Sequence, residues 1–230
     1  MLDIGGRRVP IRLRRNANAR RLILRTEARR HDGAPGVVIT LPRGVRESEA
    51  LSWVATQSAW IERHLGKLPD QVPFAEGAII PYRGDDHTIR HQPSARRGVW
   101  TTDGTIFVSG REEHLSRRVG DWLKKQARAS IAERVADKAQ RLDADYGRIA
   151  IRDTKSRWGS CAAGGNLNFS WRLILAPDFV FDYVVAHEVA HLREHNHGAG
   201  FWRLVHDLTE ETERARAWLN SFGAGLHRYG

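Results

Sequence analysis

His187 and His191 stand four residues apart in the stretch Tyr183-Val-Val-Ala-His187-Glu188-Val-Ala-His191-Leu192, with Glu188 beside the first of them. On a helix that spacing puts both imidazoles on one face, their Cβ atoms about 5–6 Å apart, close enough to share one metal ion. A carboxylate at Glu188 can then reach a water on that metal, so the stretch supplies two ligands and a base. The chemistry expected is that of a zinc-dependent hydrolase. The flanks strengthen the expectation: Val184, Val185, Ala186, Val189, Ala190 and Leu192 are small or apolar. Burying two imidazoles and a carboxylate among them without partners would cost about 1–3 kcal/mol per polar group, and more for a charge. A metal removes that cost, whereas a surface helix with incidental histidines would not need apolar flanks.

A catalytic zinc takes three protein ligands and leaves one position for water. The candidates for the third are His195, His197, His206 and an acid among Glu210, Glu211 and Glu213. His195 continues the four-residue spacing, but on a straight helix it lies about 12 Å along the axis from His187. The third ligand must therefore follow a turn, and Asn196, Gly198 and Gly200 supply turn residues around His197, the preferred choice. The spacing of His187, His191 and His197 equals that of the metzincins. Glu194 stands where that pattern has glycine, however, and no methionine follows Met1, so a Met-turn is impossible. A thermolysin-like arrangement would draw a ligand from Thr209-Glu-Glu-Thr-Glu213. Those acids are better placed to open a helix from Glu211 to Leu219, where the dipole favours them.

These residues need elements to hold them. In the N-terminal part, Val9–Leu13, Arg21–Arg25 and Val37–Leu41 read as short strands. Glu47 to Leu65 reads as an amphipathic helix that Ser48 caps, and Pro69, Pro73 and Gly77 break the pattern. Ile79 to Val108 reads as further strands, punctuated by Gly84-Asp-Asp86 and Pro93, with a hairpin turn at Asp103-Gly104. A long amphipathic helix is predicted from Glu112 to about Tyr146, with Leu115, Val119, Trp122, Leu123, Ala127, Ile131, Val135, Ala139 and Leu142 on its inner side. Ile149–Arg152, Ser156–Cys161 and Leu167–Trp171 are strands, the last two joined through Ala163-Gly164-Gly165. Pro177-Asp178 opens the histidine-bearing helix, with Asp178 as its cap. The fold class expected is α+β, a zincin-like core in residues 111–230 after a basic β-rich part in 1–110, meeting at a packed junction near Gly110. In that arrangement an edge strand aligns an extended peptide beside the metal.

The 230 residues suffice for one sizeable domain or two small ones, and 41% apolar with 28% charged is a globular composition. No apolar run approaches the length of a membrane span, and the N-terminus lacks the apolar core of a signal peptide. A single cysteine, Cys161, excludes an intrachain disulfide. A cytoplasmic location is the economical expectation. The net charge of +10 is uneven: residues 1–50 hold 12 basic and 5 acidic side chains, whereas residues 151–230 balance. Arg14-Arg15, Arg20-Arg21 and Arg29-Arg30 could follow a phosphate backbone. No aromatic residues interleave with them as in single-strand binders, which favours a solvated basic face.

The motifs Lys155-Ser-Arg-Trp-Gly-Ser-Cys161, Leu167-Asn-Phe-Ser-Trp-Arg-Leu173, Ala176-Pro177, Tyr183 to Leu192, Asn196-His197 and Phe201-Trp202 resemble those of the YgjP-like metallopeptidases, which look like relatives of the SprT-type zinc proteases. The likeness spans nearly the whole chain, but its specific motifs lie within 155–202. It implies a cytoplasmic zinc metallopeptidase with ligands His187, His191 and His197 and a catalytic Glu188. Val189 stands where leucine is commoner and Gly198 where serine is common, and neither touches a ligand.

In the expected reaction zinc acidifies its water, Glu188 takes the proton and passes it to the leaving amine, and Arg157 or Tyr183 helps stabilise the oxyanion. Tyr183 serves more readily as a core anchor, and Arg157 equally as the partner of an acid. Cys161 is expected in the core, Trp158, Phe201 and Trp202 around the site, and His195 at its rim. Two other functions are compatible with the residues. One is a metal-dependent hydrolase of a phosphorylated small molecule such as a nucleoside triphosphate, gripped by the N-terminal arginines. The other is a nucleic-acid-associated protease of the SprT type.

Overall fold

The computed structural model describes all residues except 5, 28–35 and 66–69, and the side chains of residues 2 and 7 besides. It divides into two compact units, Met1–Gln71 and Val72–Gly230. The division expected near Gly110 is thus corrected. The strands before Gly110 bury Ile80, Ile89, Ile106 and Val108 in one core with Leu115 and Val119 of the long helix, which a cut at 110 would split.

In the first unit, β1 (Leu2–Ile4) and β2 (Arg7–Val9) form an antiparallel hairpin. β3 (Ile11–Arg15), β4 (Ile23–Glu27) and β5 (Gly36–Leu41) form a sheet with β5 central, parallel to β3 and antiparallel to β4. Pro10 has no N–H and interrupts the single strand expected over Val9–Leu13. α1 (Glu47–Ala55) and α2 (Ser58–Leu65) replace the one helix expected there. The Thr56 hydroxyl donates to the Trp53 carbonyl at 2.7 Å and closes the first of them. Arg46, not Ser48, occupies the N-cap, without a side-chain cap bond. Val37, Ile39 and Leu41 alternate inward against Ala50, Val54 and Ile61. Arg14 and Arg15 on β3, and Arg20 and Arg21 before β4, are exposed; Arg29-Arg30 and Pro69 lie outside the described residues.

The second unit opens with β6 (Ile79–Tyr82), β7 (Asp85–Gln92), β8 (Val99–Thr102) and β9 (Thr105–Ser109), in the order β6-β7-β9-β8. Asp103 (φ 47°) and Gly104 (φ 67°) make the expected tight turn between β8 and β9. Asp85 and Asp86, expected in a turn, belong to β7. α3 (Leu115–Arg141) follows a short 3₁₀ turn and ends earlier than expected. Its buried apolar residues Leu115, Val119, Leu123, Ala127, Ile131, Val135 and Ala139 recur every four positions. Four residues turn a helix by about 40° more than a full circle, so this stripe winds around the axis. The winding lets one helix serve several neighbours, with β8 and β9 among its contacts as well as the active-site helix described next.

β10 (Ile149–Arg152), β11 (Gly159–Cys161) and β12 (Leu167–Ser170) form a sheet with β12 central, parallel to β10 and antiparallel to β11. A 3₁₀ segment, Trp171–Leu175, leads to α4 (Asp178–Ala190), then α5 (Ala199–Leu208), α6 (Thr212–Phe222) and a last 3₁₀ turn, Gly223–Arg228. α4 is apolar almost all round, which makes it the centre of the unit: α3, α5, α6 and β11 all pack on it. Pro177 is its N-cap, and Asp178, expected to cap, instead pairs with Arg134 at 3.2 Å. Two buried cations brace the frame. Lys138 meets Asp182 at 2.9 Å and the Leu208 carbonyl at 2.8 Å. Arg172 meets Asp153 at 2.8 Å and the carbonyls of Leu226 and Tyr229 at 3.2 and 2.6 Å. Among the described residues no helix is long and apolar enough to cross a membrane.

Candidate active site

α4 carries His187 and His191 on one face, and it ends just where His191 becomes its C-cap. The chain then reverses. The Leu192 N–H bonds to the Val189 carbonyl at 2.9 Å, and the Arg193 and Glu194 N–H groups to the Ala190 carbonyl at 3.1 and 3.0 Å. The Gly198 N–H donates to the Asn196 carbonyl at 2.8 Å, a three-residue turn with His197 at its tip. That turn brings His197 Nε2 to 3.1 Å from His187 Nε2. One ligand atom from each of His187, His191 and His197 lies within 4.8 Å of the others, the one such group of three among the described residues. Two nitrogens bound to one tetrahedral zinc at 2.0–2.1 Å stand about 3.3 Å apart, so the His187–His197 pair is already near that separation.

The far nitrogens are engaged. His191 Nδ1 bonds to the Glu194 carbonyl at 2.9 Å, and His187 Nδ1 meets the Tyr183 hydroxyl at 3.4 Å. Bonds of this kind fix the tautomer and leave Nε2 free for a metal. Tyr183 thus lies behind His187 and is only 6% exposed. The fully buried Phe201 packs its ring within 4.5–4.9 Å of all three imidazole centroids and forms an apolar floor. Burial, helped by the other two histidines, pushes His187 down to about 4. Its ring is thus a neutral donor at physiological pH, as metal binding requires. The donor set fits zinc, which catalytic sites commonly hold with three imidazole nitrogens.

Glu188 is 7% exposed. Burial raises its pKa to about 7, against the opposing pull of Arg157 and a hydrogen bond from the Cys161 amide. That bond follows from the strand register. The Ser170 N–H bonds to the Trp158 carbonyl and the Ala162 N–H to the Asn166 carbonyl, while Gly159 and Cys161 pair across with Phe169 and Leu167. In an antiparallel ladder residues alternate between facing the partner strand and facing away. Gly159 and Cys161 therefore direct their backbone groups to the open edge of β11, towards Glu188. Gly159 is tightly fitted there, since a Cβ on it would fall 2.5 Å from Glu188 Cγ and Oε1. Gly159→Ala is accordingly expected to displace the carboxylate and lower kcat/KM about 100-fold, because small misplacements of a reacting group have effects of that size. Metal content measured alongside should stay at the wild-type level; a variant of normal activity would show that Glu188 has slack.

Arg157 is exposed, two residues before β11 begins, and forms no ion pair among the described residues. His195 is exposed beyond the end of α4, and His206 is exposed on α5. Glu211 and Glu213 pair with Arg214 and Arg216 at the start of α6. Cys161 is partly buried against the core, and burial, with the nearby Glu188 charge, raises its thiol above the ordinary range. Sequence reasoning missed Gly159 and the Cys161 amide, although a glycine inside a strand is a known sign of another group approaching closely. A larger groove, about 570 Å³, is lined by Pro177, Phe179 and part of α6 and includes none of the four site residues.

A metal-dependent peptidase is the class to which this helix, its histidines and the open strand edge beside them correspond. The chain belongs to the YgjP-like family: the family's metallopeptidase domain matches residues 25–222. A search of curated proteins finds no match. Among solved structures, the metallopeptidase zymogen of Pyrococcus abyssi, abylysin, is similar over 40% of this chain and 94% of that one, at 18% identity and a TM-score of 0.36. So distant a likeness bears on neither fold nor activity.

Proposed function

We propose that the protein is a zinc-dependent metallopeptidase with a zincin-like core, in which His187, His191 and His197 hold the metal and Glu188 is the general base. The observation that carries this reading is the convergence of three imidazoles within 4.8 Å beside a carboxylate that is itself buried and bonded to a strand edge. When bound, the zinc supplies Lewis acidity to a water and to the scissile carbonyl. Glu188, its pKa raised by burial to about 7, is suited to take a proton from that water and return it to the leaving amine. Arg157, exposed and attractive to negative charge at Glu188, is the group proposed to steady the oxyanion. Tyr183 and the Glu194 carbonyl hold their imidazoles in orientation, and Phe201 keeps water from the rear of the site. The open edge of β11 is the natural rail for an extended peptide, which adds to it as a further strand.

The test is hydrolysis of an unfolded protein substrate by purified, zinc-loaded protein. Cleavage should be lost on chelation and return with zinc. Hydrolysis that persists in excess chelator would sink the metal assignment, and absence of cleavage with three bound nitrogens confirmed by X-ray absorption would sink the peptidase assignment.

A further inference from the structure

Beside the candidate site lies a cavity of about 420 Å³, walled by Cys161 and the turn that follows it, by the Asp145–Gly147 loop after α3, and by Leu192 and His195. It adjoins Glu188 through Cys161, whose amide holds the carboxylate and whose residue lines the cavity. It adjoins the metal ligands through Leu192, next in the chain to His191. The walls are built before any ligand arrives. Gly165 N–H bonds to the Ala162 carbonyl at 2.8 Å, Ala162 N–H to the Asn166 carbonyl at 2.9 Å, and Gly147 N–H crosses to the Gly165 carbonyl at 2.9 Å. Gly165 has φ +73°, which a side chain would resist, and a Cβ there would meet Leu192 Cδ2 at 3.7 Å. Ala162, Ala163, Gly164 and Gly147 add almost no bulk, so the space is left for something brought from outside.

The chemistry of the lining is one-sided. Asp145 is the one lining residue with a fixed charge, and it forms no ion pair among the described residues. Leu192, Tyr146 and the alanines offer apolar surface on the way to it.

We propose that this cavity receives the side chain of the substrate residue next to the scissile bond, and that it favours a long basic one, lysine or arginine. The stem lies along Leu192 and the alanine wall while the cationic end meets Asp145, as long basic side chains do at apolar surfaces. An acidic side chain would bring like charge to Asp145, and alanine would leave the cavity unfilled. This inference rests on the peptidase reading above.

A peptide library varied on both sides of the bond tests it. Lysine or arginine at one of the flanking positions should exceed alanine by about tenfold or more in kcat/KM, with aspartate and glutamate lowest. Asp145→Asn should bring the lysine-to-leucine ratio towards one. Gly164→Phe, placed where a Cβ meets nothing nearer than 4.0 Å, and independently Ala163→Trp should lower the ratio of large residues to alanine. Wild-type cleavage indifferent to these residues, or an Asp145→Asn protein with an unchanged lysine-to-leucine ratio, would overturn the pocket. Calorimetry with lysine- and glutamate-bearing peptides on the zinc-loaded Glu188→Gln protein separates the two readings. Equal affinities refute the pocket whatever the cleavage assay shows, whereas a lysine preference without wild-type cleavage refutes the peptidase.

Discussion

Replacing Glu188 with glutamine should lower peptide hydrolysis by about 10²- to 10⁴-fold, the usual contribution of a positioned general base. Glutamine keeps the size of the side chain and can still accept the Cys161 amide bond through its oxygen. It cannot take up a proton. The pocket between α4 and β11 should therefore stay packed, and the three imidazoles should bind metal as before. Kinetics and elemental analysis on the same preparation make the check. A fall in kcat with metal retained supports the assignment; near-normal turnover would remove Glu188 from the chemistry, and loss of metal would make its role one of positioning.

His197→Ala should weaken metal binding by more than about 100-fold, since even the loss of a partner behind a ligand costs 10- to 100-fold. The reason lies in the separation of the sources. His187 and His191 come from one helix and persist together, whereas His197 comes from a short turn and closes the site from the other side. Without it two imidazoles remain, fewer than catalytic zinc sites use. His206→Ala, an exposed change on α5, is the matching control and should leave affinity as it was. Competition with a chromogenic chelator measures both. Full affinity in His197→Ala would mean that a third donor comes from elsewhere, the acids between 209 and 213 being the first to test.

The histidine spacing was readable because it is local. One helical turn separates two of the imidazoles, and the turn residues around His197 announce that the chain doubles back. The strands β5, β10 and β12 were readable for a similar reason, since a short apolar run, or in β12 an alternation, needs no knowledge of partners. What could not be read were arrangements made by distant segments. The break at Pro69, Pro73 and Gly77 falls at Gln71 and Val72, but strands follow it as they precede it, so it does not read as the boundary between units. The apolar pattern also runs through Thr56, although a side-chain bond to Trp53 ends the helix there. Arg172, in the middle of an apolar run, looks like a surface interruption until Asp153 and the carbonyls of Leu226 and Tyr229 are brought around it. The fit of Gly159 against Glu188 joins residues that only the packing of α4 on β11 brings together. Tyr183 lies in the core, as an anchor would, but its hydroxyl also meets His187 Nδ1, which spacing alone does not reveal.

The amide of Cys161 is already committed to the carboxylate of Glu188, so a visiting peptide finds one rung of the β11 ladder taken. If a peptide adds to that rim as proposed, its pairing would skip that rung and be carried by groups to either side. On that mode of binding a guest would be held at its ends, and each half would keep only one of them once the centre is cut.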